Sequence, residues 1–560
     1  MMNTIELRGL IVALGVAGAV AGVGGPASAA EALHGGHGHS SNHHRHNQAN
    51  LRHGQLKVKG TYADDQIALR LKAGNPAIVQ VDTNDDGLAD FSFRRQYIRT
   101  IRVKAGPGND HVRIDEANGV FTDTIPTTLD GGNGDDTLAG GSGAEALLGG
   151  DGNDTTDGNR GNDTARMGAG DDTFVWDPGD GSDVVEGQDG HDSMRFNGAN
   201  IAERFDLSAN GNRLRFLRNV GNITMDTNGV EQVDVNALAG TDLVTVADLS
   251  GTDVTQVNVD EGAATGIGDG AADQVIVNGT NSADAISVAG DPTSGVTVAG
   301  TPASVAIRHQ EPTDELVVSA LDGNDSIAAD GLAAAAITPT LDGGNGDDRI
   351  AGSQGAELTL GGDGNDTADG NRGNDTAQMG AGDDTFIWDP GDGSDVVEGQ
   401  EGHDTMRFNG ANIAEQFELS ANGNRLRFVR NVGNITMDTA GVEQVDVNAL
   451  GGADLVTVND LKGTDVTQVN ADLAGSPAGA GDGAADRVVV GGTTGDDKIK
   501  VSGTTAGIDV TGLASAVRVL HSEAANDSLE INTLAGADTV DSGGLAPGVI
   551  QLFVDGVLIP

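Results

Sequence analysis

The sequence predicts an all-β chain in which parallel β-roll or β-solenoid arrays alternate with small β-rich modules. Three observations predict it. A nine-residue pattern, G-G-x-G-x-D-x-U-x with U a large apolar residue, runs through residues 131–195 in seven units and recurs through 343–407. Glycine supplies 87 of 560 residues and aromatic side chains only 3%, which argues for stacked turns that each bury a little, not for one large core. Helix signals are nearly absent, whereas short D-x-U-x-V strand signals are frequent.

In chain order, residues 1–30 read as a secretory signal peptide. Arg8 and the amino terminus outweigh Glu6, an uncharged run extends from Gly9 to Gly25, and Ala27-Ser28-Ala29 makes an A-x-A cleavage site. A membrane anchor is the rival reading, but the run is rich in Gly and Ala and short of the roughly 20 apolar residues of a span. Residues 31–55 form a His-rich leader, expected to be disordered, with seven of the twelve histidines between His34 and His53. Clustered imidazoles can capture Zn²⁺, Ni²⁺ or Cu²⁺, though nothing here has fixed ligand spacing.

Residues 56–128 form a small β module. Asp82, Asn84, Asp86 and Asp90 follow D-x-[DN]-x-D-G-x-x-D, the front of an EF-hand-like calcium loop with Gly87 at the bend. Its twelfth position is Phe93 rather than a bidentate Glu, and its flanks look like strands. A calcium loop between strands and a plain Asx-rich hairpin turn both fit. Residues 105–113, AGPGNDHVR, add one degenerate nonapeptide.

Residues 129–270 hold the first array and a hairpin region. The units read GGNGDDTLA, GGSGAEALL, GGDGNDTTD, GNRGNDTAR and MGAGDDTFV, then, after Trp176-Asp177, PGDGSDVVE and GQDGHDSMR. Phe205–Phe216 reads as two alternating strands about an Asn-Gly turn, with a second hairpin through NVGNITM. A small module (271–340), a second array with its hairpins (341–487) and a C-terminal small module (488–560) complete the chain. Trp388 and His403 follow Trp176 and His191 by 212 residues, so duplication is the simplest source, and the small modules are expected to join and cap the arrays.

Successive glycines let the backbone take positive φ and approach another chain closely. Asp at position six and the turn carbonyls then converge between turns, an all-oxygen cage that suits Ca²⁺ ahead of Mg²⁺. The nonapeptide is the calcium-binding repeat of RTX proteins, and on fourteen such units the chain resembles the RTX (hemolysin-type) family. The resemblance implies repeats that are disordered without calcium and fold when it binds. It carries over to Asp136, Asp154, Asp163, Asp172, Asp183 and Asp192, and to Asp348, Asp366, Asp375, Asp384, Asp395 and Asp404. Glu145 and Glu357 depart from it, and the break at Trp176-Asp177 sets units six and seven apart. His191 and His403 read as turn residues, and the two tryptophans as plugs where the phase shifts.

The charge supports the cation. The formal net charge is −52, with 84 acidic against 32 basic residues. Two carboxylates about 4 Å apart repel by roughly 4 kcal/mol at an effective dielectric near 20, so closing the turns demands counter-charge, and nucleic acid is a poor partner. With no cysteine, disulfides cannot staple an exported fold. The inward positions are also modest, including Thr156, Ala165, Thr359, Ala368 and Ala377. The expectation is a secreted calcium-binding repeat protein with a structural or adhesive role and a cell-surface or matrix partner. The alternative is a secreted hydrolase that uses the repeats for export and folding, although H-E-x-x-H and G-x-S-x-G are both missing.

Overall fold

Glycine-rich turns separated by three- to six-residue apolar-centred stretches dictate short strands, and the chain lays them alternately into two sheets. The structure, a computed structural model, describes residues 47–264, 266–475, 479 and 481–560. In the first array, Thr127–Asn133, Ala146–Asp151, Thr164–Ala169 and Val184–Asp189 lie in one sheet. Thr137–Ala139, Thr155–Asp157, Thr173–Trp176 and Ser193–Asn197 lie in the other. Each strand pairs in parallel with the strand two units later: Leu129, Leu147 and Ala165 align across the first sheet, and Leu138, Thr156 and Phe174 across the second. This is the β-roll that the nonapeptide pattern predicts. At Trp176-Asp177 the roll accommodates two extra residues, because Ala165 pairs with Val185 and Phe174 with Met194.

Position eight points inward throughout, and Leu138, Leu147, Thr156, Ala165, Phe174, Val185 and Met194 are all buried. The core holds more than these positions alone. Trp176 is buried and stacks on Phe196 with ring centres 4.0 Å apart, and its indole N–H donates to the Gly181 carbonyl at 2.8 Å. The Arg218 guanidinium lies over the indole ring, 5.1 Å from its centre. Trp388, Phe408 and Arg430 repeat the arrangement. Each tryptophan thus fills the wider coil that the two-residue insertion creates.

The roll extends well beyond the two arrays. Among the described residues the first sheet has 25 strands and the second 24, and segments expected as separate small modules contribute to both. What distinguishes those segments is hairpins built into a sheet. Ala285–Asp291, Gly295–Ala299 and Ser304–Arg308 form an antiparallel meander in the second sheet. The hairpin region after the first array does the same in the first sheet, where Arg204–Asn210, Arg213–Arg218 and Ile223–Asn228 form a meander that turns at Gly211 as the Asn-Gly signal predicts.

The end of the expected leader is corrected. Gln48–Arg52 and Gln55–Lys59 pair as an antiparallel hairpin, because Leu56 and Val58 alternate into the core and Leu51 packs against it. The signal peptide and the leader's first six histidines lie outside the described residues. A hairpin of Gln551–Val554 with Val557–Ile559 ends the first sheet at its other limit. Among the described residues no helix is long and apolar enough to cross a membrane. One core cluster extends from Leu56 to Ile350 and a second from Ala368 to Leu552. The polar Thr359 lies between them, where the first array has Leu147.

Candidate metal centre

Position six precedes the inward residue by two, so its side chain sits where a turn enters a strand. Because the strands alternate between sheets, alternate position-six residues stack in two rows. In one row the Asp136 N–H donates to Asp154 Oδ1 at 2.8 Å, Asp154 to Asp172 at 2.7 Å, and Asp172 to Asp192 at 2.9 Å. In the other, Glu145 donates to Asp163 at 2.6 Å and Asp163 to Asp183 at 2.8 Å. The second array repeats both rows, through Asp348, Asp366, Asp384 and Asp404, and through Glu357, Asp375 and Asp395.

One oxygen of each carboxylate is therefore engaged by a backbone N–H. The other, Oδ2, is buried without a hydrogen-bond partner in all twelve aspartates. Glycine makes the space that this oxygen faces. A Cβ at Gly149 would lie 2.3 Å from Asp154 Oδ2 and 2.2 Å from the Met167 carbonyl oxygen. Gly150, at φ +129°, would place a Cβ 1.8 Å from the Gly132 carbonyl oxygen of the preceding coil. Carboxylate and carbonyl oxygens thus crowd one cradle with no donor between them.

The cost of that crowding is electrostatic. Burial, opposed by the backbone N–H and aided by neighbouring carboxylates, pushes Asp154 up to about 7 and Asp163 up to about 9. Burial and the nearby Glu357 and Asp395 raise Asp375 to about 8. Unpaired buried anions are expensive unless a counter-charge reaches them. An all-oxygen donor set with excess negative charge fits a hard divalent cation with flexible coordination, Ca²⁺ before Mg²⁺. Among the described residues no three acidic or histidine side chains converge on one point. The donors per rung are accordingly carboxylate oxygen and turn carbonyls.

The family model of the RTX calcium-binding nonapeptide repeat (4 copies) matches residues 130–165, 148–175 and 179–200, and again 340–356, 360–387 and 391–412. The chain carries RTX calcium-binding repeats. No curated protein matches it. Among solved structures, the crystal structure of extracellular lipase LipA from Serratia marcescens is similar at 15% identity, over 61% of this chain and 43% of the lipase, with a TM-score of 0.18. The chain spans less than half of that lipase's length, and a likeness at this level says nothing about activity.

The RTX rows extend past the sequence-predicted residues. Asp65 donates to Asp110 and Asp110 to Asp136, each at 2.7 Å, and Asp192 donates to Glu231 at 2.7 Å. Between the arrays run Glu203, Asp242, Asp273 and Asp314 in one row, and Asp284, Asp325 and Asp348 in another. Their signal in sequence is an acid two residues before an inward apolar side chain, as in Asp110-His-Val and Asp242-Leu-Val, with fewer glycines ahead of it.

The two glutamate units differ from each other. Glu145 Oε2 accepts from the Gly141 N–H at 2.7 Å and leaves Oε1 buried and unpaired. Glu357 has both oxygens engaged by Ser353, which stands where the first array has Gly141. Asp183 and Asp192, past the break, hold their rungs. The expected loop of Asp82, Asn84, Asp86 and Asp90 is a hairpin connection closed by its own groups. Asp82 is buried against Arg70 at 2.8 Å and accepts from the Gly87 N–H, Asp86 accepts from Leu88, and Asp90 accepts from Thr83. Asn84 donates to Asp86 at 3.1 Å. Arg70 already neutralises the one fully buried carboxylate there. His191 and His403 are exposed turn residues whose backbone N–H groups donate to Asp171 and Asp383.

Proposed function

We propose that this is a secreted protein of structural or adhesive role whose β-roll closes and stiffens when Ca²⁺ fills the two carboxylate rows. The observation that carries the reading is the repeated unpaired Oδ2. The proposed ligands are Asp136, Asp154, Asp163, Asp172, Asp183 and Asp192, their second-array counterparts Asp348, Asp366, Asp375, Asp384, Asp395 and Asp404, and the carbonyls around them. The Arg70 contact favours leaving the 82–90 loop out of that set. Ion binding to the folded state alone adds about 1.4 kcal/mol per site at tenfold excess over Kd, and a dozen coupled sites then tip a balance that apolar burial leaves close to even against the entropy of ordering glycine-rich turns. The chain would stay open in a low-calcium cytoplasm and close outside.

Calcium titration of the full chain, followed by circular dichroism, tests the proposal. β-structure should appear cooperatively with added Ca²⁺, and β-content unchanged by EGTA would overturn it. Sequencing the amino terminus of secreted material tests export, with cleavage after Ala29 expected.

A further inference from the structure

Three buried glutamates outside the two arrays invite comparison. Glu203 and Glu415 are buried, and each is ion-paired with a buried arginine, Arg218 and Arg430. Glu261 is just as buried, at 2% exposure, yet both its carboxylate oxygens are without a hydrogen-bond partner and it forms no ion pair. It follows the strand Gln256–Asp260, and its backbone N–H donates to the Arg308 carbonyl at 3.1 Å. It opens the turn that strand register sets beside residues 237–242, since Asn236 pairs with Asp260 and Leu243 with Gln274, and the charges acting on its carboxyl are those of Asp314, Asp273, Asp242 and Asp260. Three of these form a row, with Asp242 donating to Asp273 at 2.8 Å and Asp273 to Asp314 at 3.1 Å, and Asp242 Oδ2 is itself buried and unpaired.

The duplicated half supplies an internal control. There the row persists as Asp454, Asp486 and Asp527, at 2.9 and 3.1 Å, but the residue in place of Glu261 is Leu473, buried in the core. An apolar side chain therefore suits this position beside the same row, so packing does not require a glutamate. Burial first, and then the like charges of Asp314, Asp273, Asp242 and Asp260, push Glu261 up to about 9, the situation that a bound cation relieves.

We propose that Glu261, together with Asp242 of the adjacent row, holds a divalent cation at a site separate from the nonapeptide arrays and absent from the second half of the chain. Two carboxylates leave the remaining positions to backbone carbonyls and water, a donor set that suits Ca²⁺. The inference rests on the calcium reading only for the identity of the ion.

Counting bound ions by native mass spectrometry on the calcium-loaded full chain tests it. Glu261→Leu, which copies the other half, should carry one ion fewer than the wild type, and Leu473→Glu one more. Glu261→Gln, which keeps the size, should also lose one ion and guards against misfolding of the leucine variant. Equal counts in wild type and both Glu261 variants would overturn this site while leaving the rows intact. A wild-type chain without bound calcium would instead overturn the broader reading.

Discussion

Asp154→Asn separates the metal role of the rows from a merely structural one, because it should act with opposite sign in the two calcium states. Asp154 Oδ1 accepts from the Asp136 N–H at 2.8 Å, a bond an asparagine oxygen keeps. The amide nitrogen would replace the unpaired Oδ2 and face the Met167 carbonyl as a donor. In calcium-free protein Asp154 is pushed up to about 7 from an ordinary 3.8 by burial. At pH 7 that raised value costs the fold on the order of 4 kcal/mol, and relaxation of the turns reduces it to about 2 kcal/mol. Asparagine removes that cost, so in EGTA, where the wild type is open, the variant should fold at a lower concentration of a compacting osmolyte. In millimolar calcium it should resist urea less, by at least the 1.4 kcal/mol or so that one site contributes at tenfold excess. Emission from Trp176 and Trp388, both buried and stacked, reports unfolding in either buffer. A change in the same direction in both buffers would refute the reasoning.

Without calcium the raised carboxylates make the fold bind more protons than the unfolded chain, so folding in EGTA should be most favourable at or below about pH 4 and be lost as pH rises from there through about 6 to 7, the values of Asp172, Asp192, Asp136 and Asp366. Circular dichroism in EGTA across that range checks this, and calcium affinity by calorimetry should weaken as pH falls through the same window. Gly150→Ala should cost more than about 3 kcal/mol and remove local calcium binding, since it combines φ +129° with a backbone clash at 1.8 Å; urea unfolding and ion counting measure both. Thr359→Leu should stabilise the second array by about 1–2 kcal/mol, because Leu147 already packs between Leu129 and Ala165 just as Thr359 lies between Leu341 and Ala377. A lowered calcium midpoint for folding would confirm it.

The β-roll, its pairing two units apart and the position-six aspartates were legible because glycine spacing and an inward apolar residue recur with one period. The Asn-Gly hairpin was legible for the usual reason, that only a few residue pairs favour such a turn. The continuity of the two sheets was not. Between the arrays the glycines lose their nine-residue spacing and hairpins such as 285–299 interrupt the period, so Asp242 and Asp273 keep their rungs through strand register. The short hairpin at Gln48–Lys59 hid behind the histidines that precede it. Asp82 shows the converse limit: its loop has the residue types of a calcium site, but Arg70, twelve positions earlier, reaches its carboxylate only through the pairing of two strands.

The alternation of strands between two sheets also constrains how such a gene can grow. One nonapeptide carries the chain across to the opposite sheet, so adding or losing a single unit would transpose every later strand and send each downstream carboxylate to the wrong row. Adding or losing a pair restores the phase. The 212-residue duplication obeys this parity: Ala146–Asp151 and its copy Leu358–Asp363 lie in the same sheet, as do Thr155–Asp157 and Thr367–Asp369. The heritable unit is thus the full coil, and length can change by whole coils without redesign of any binding turn.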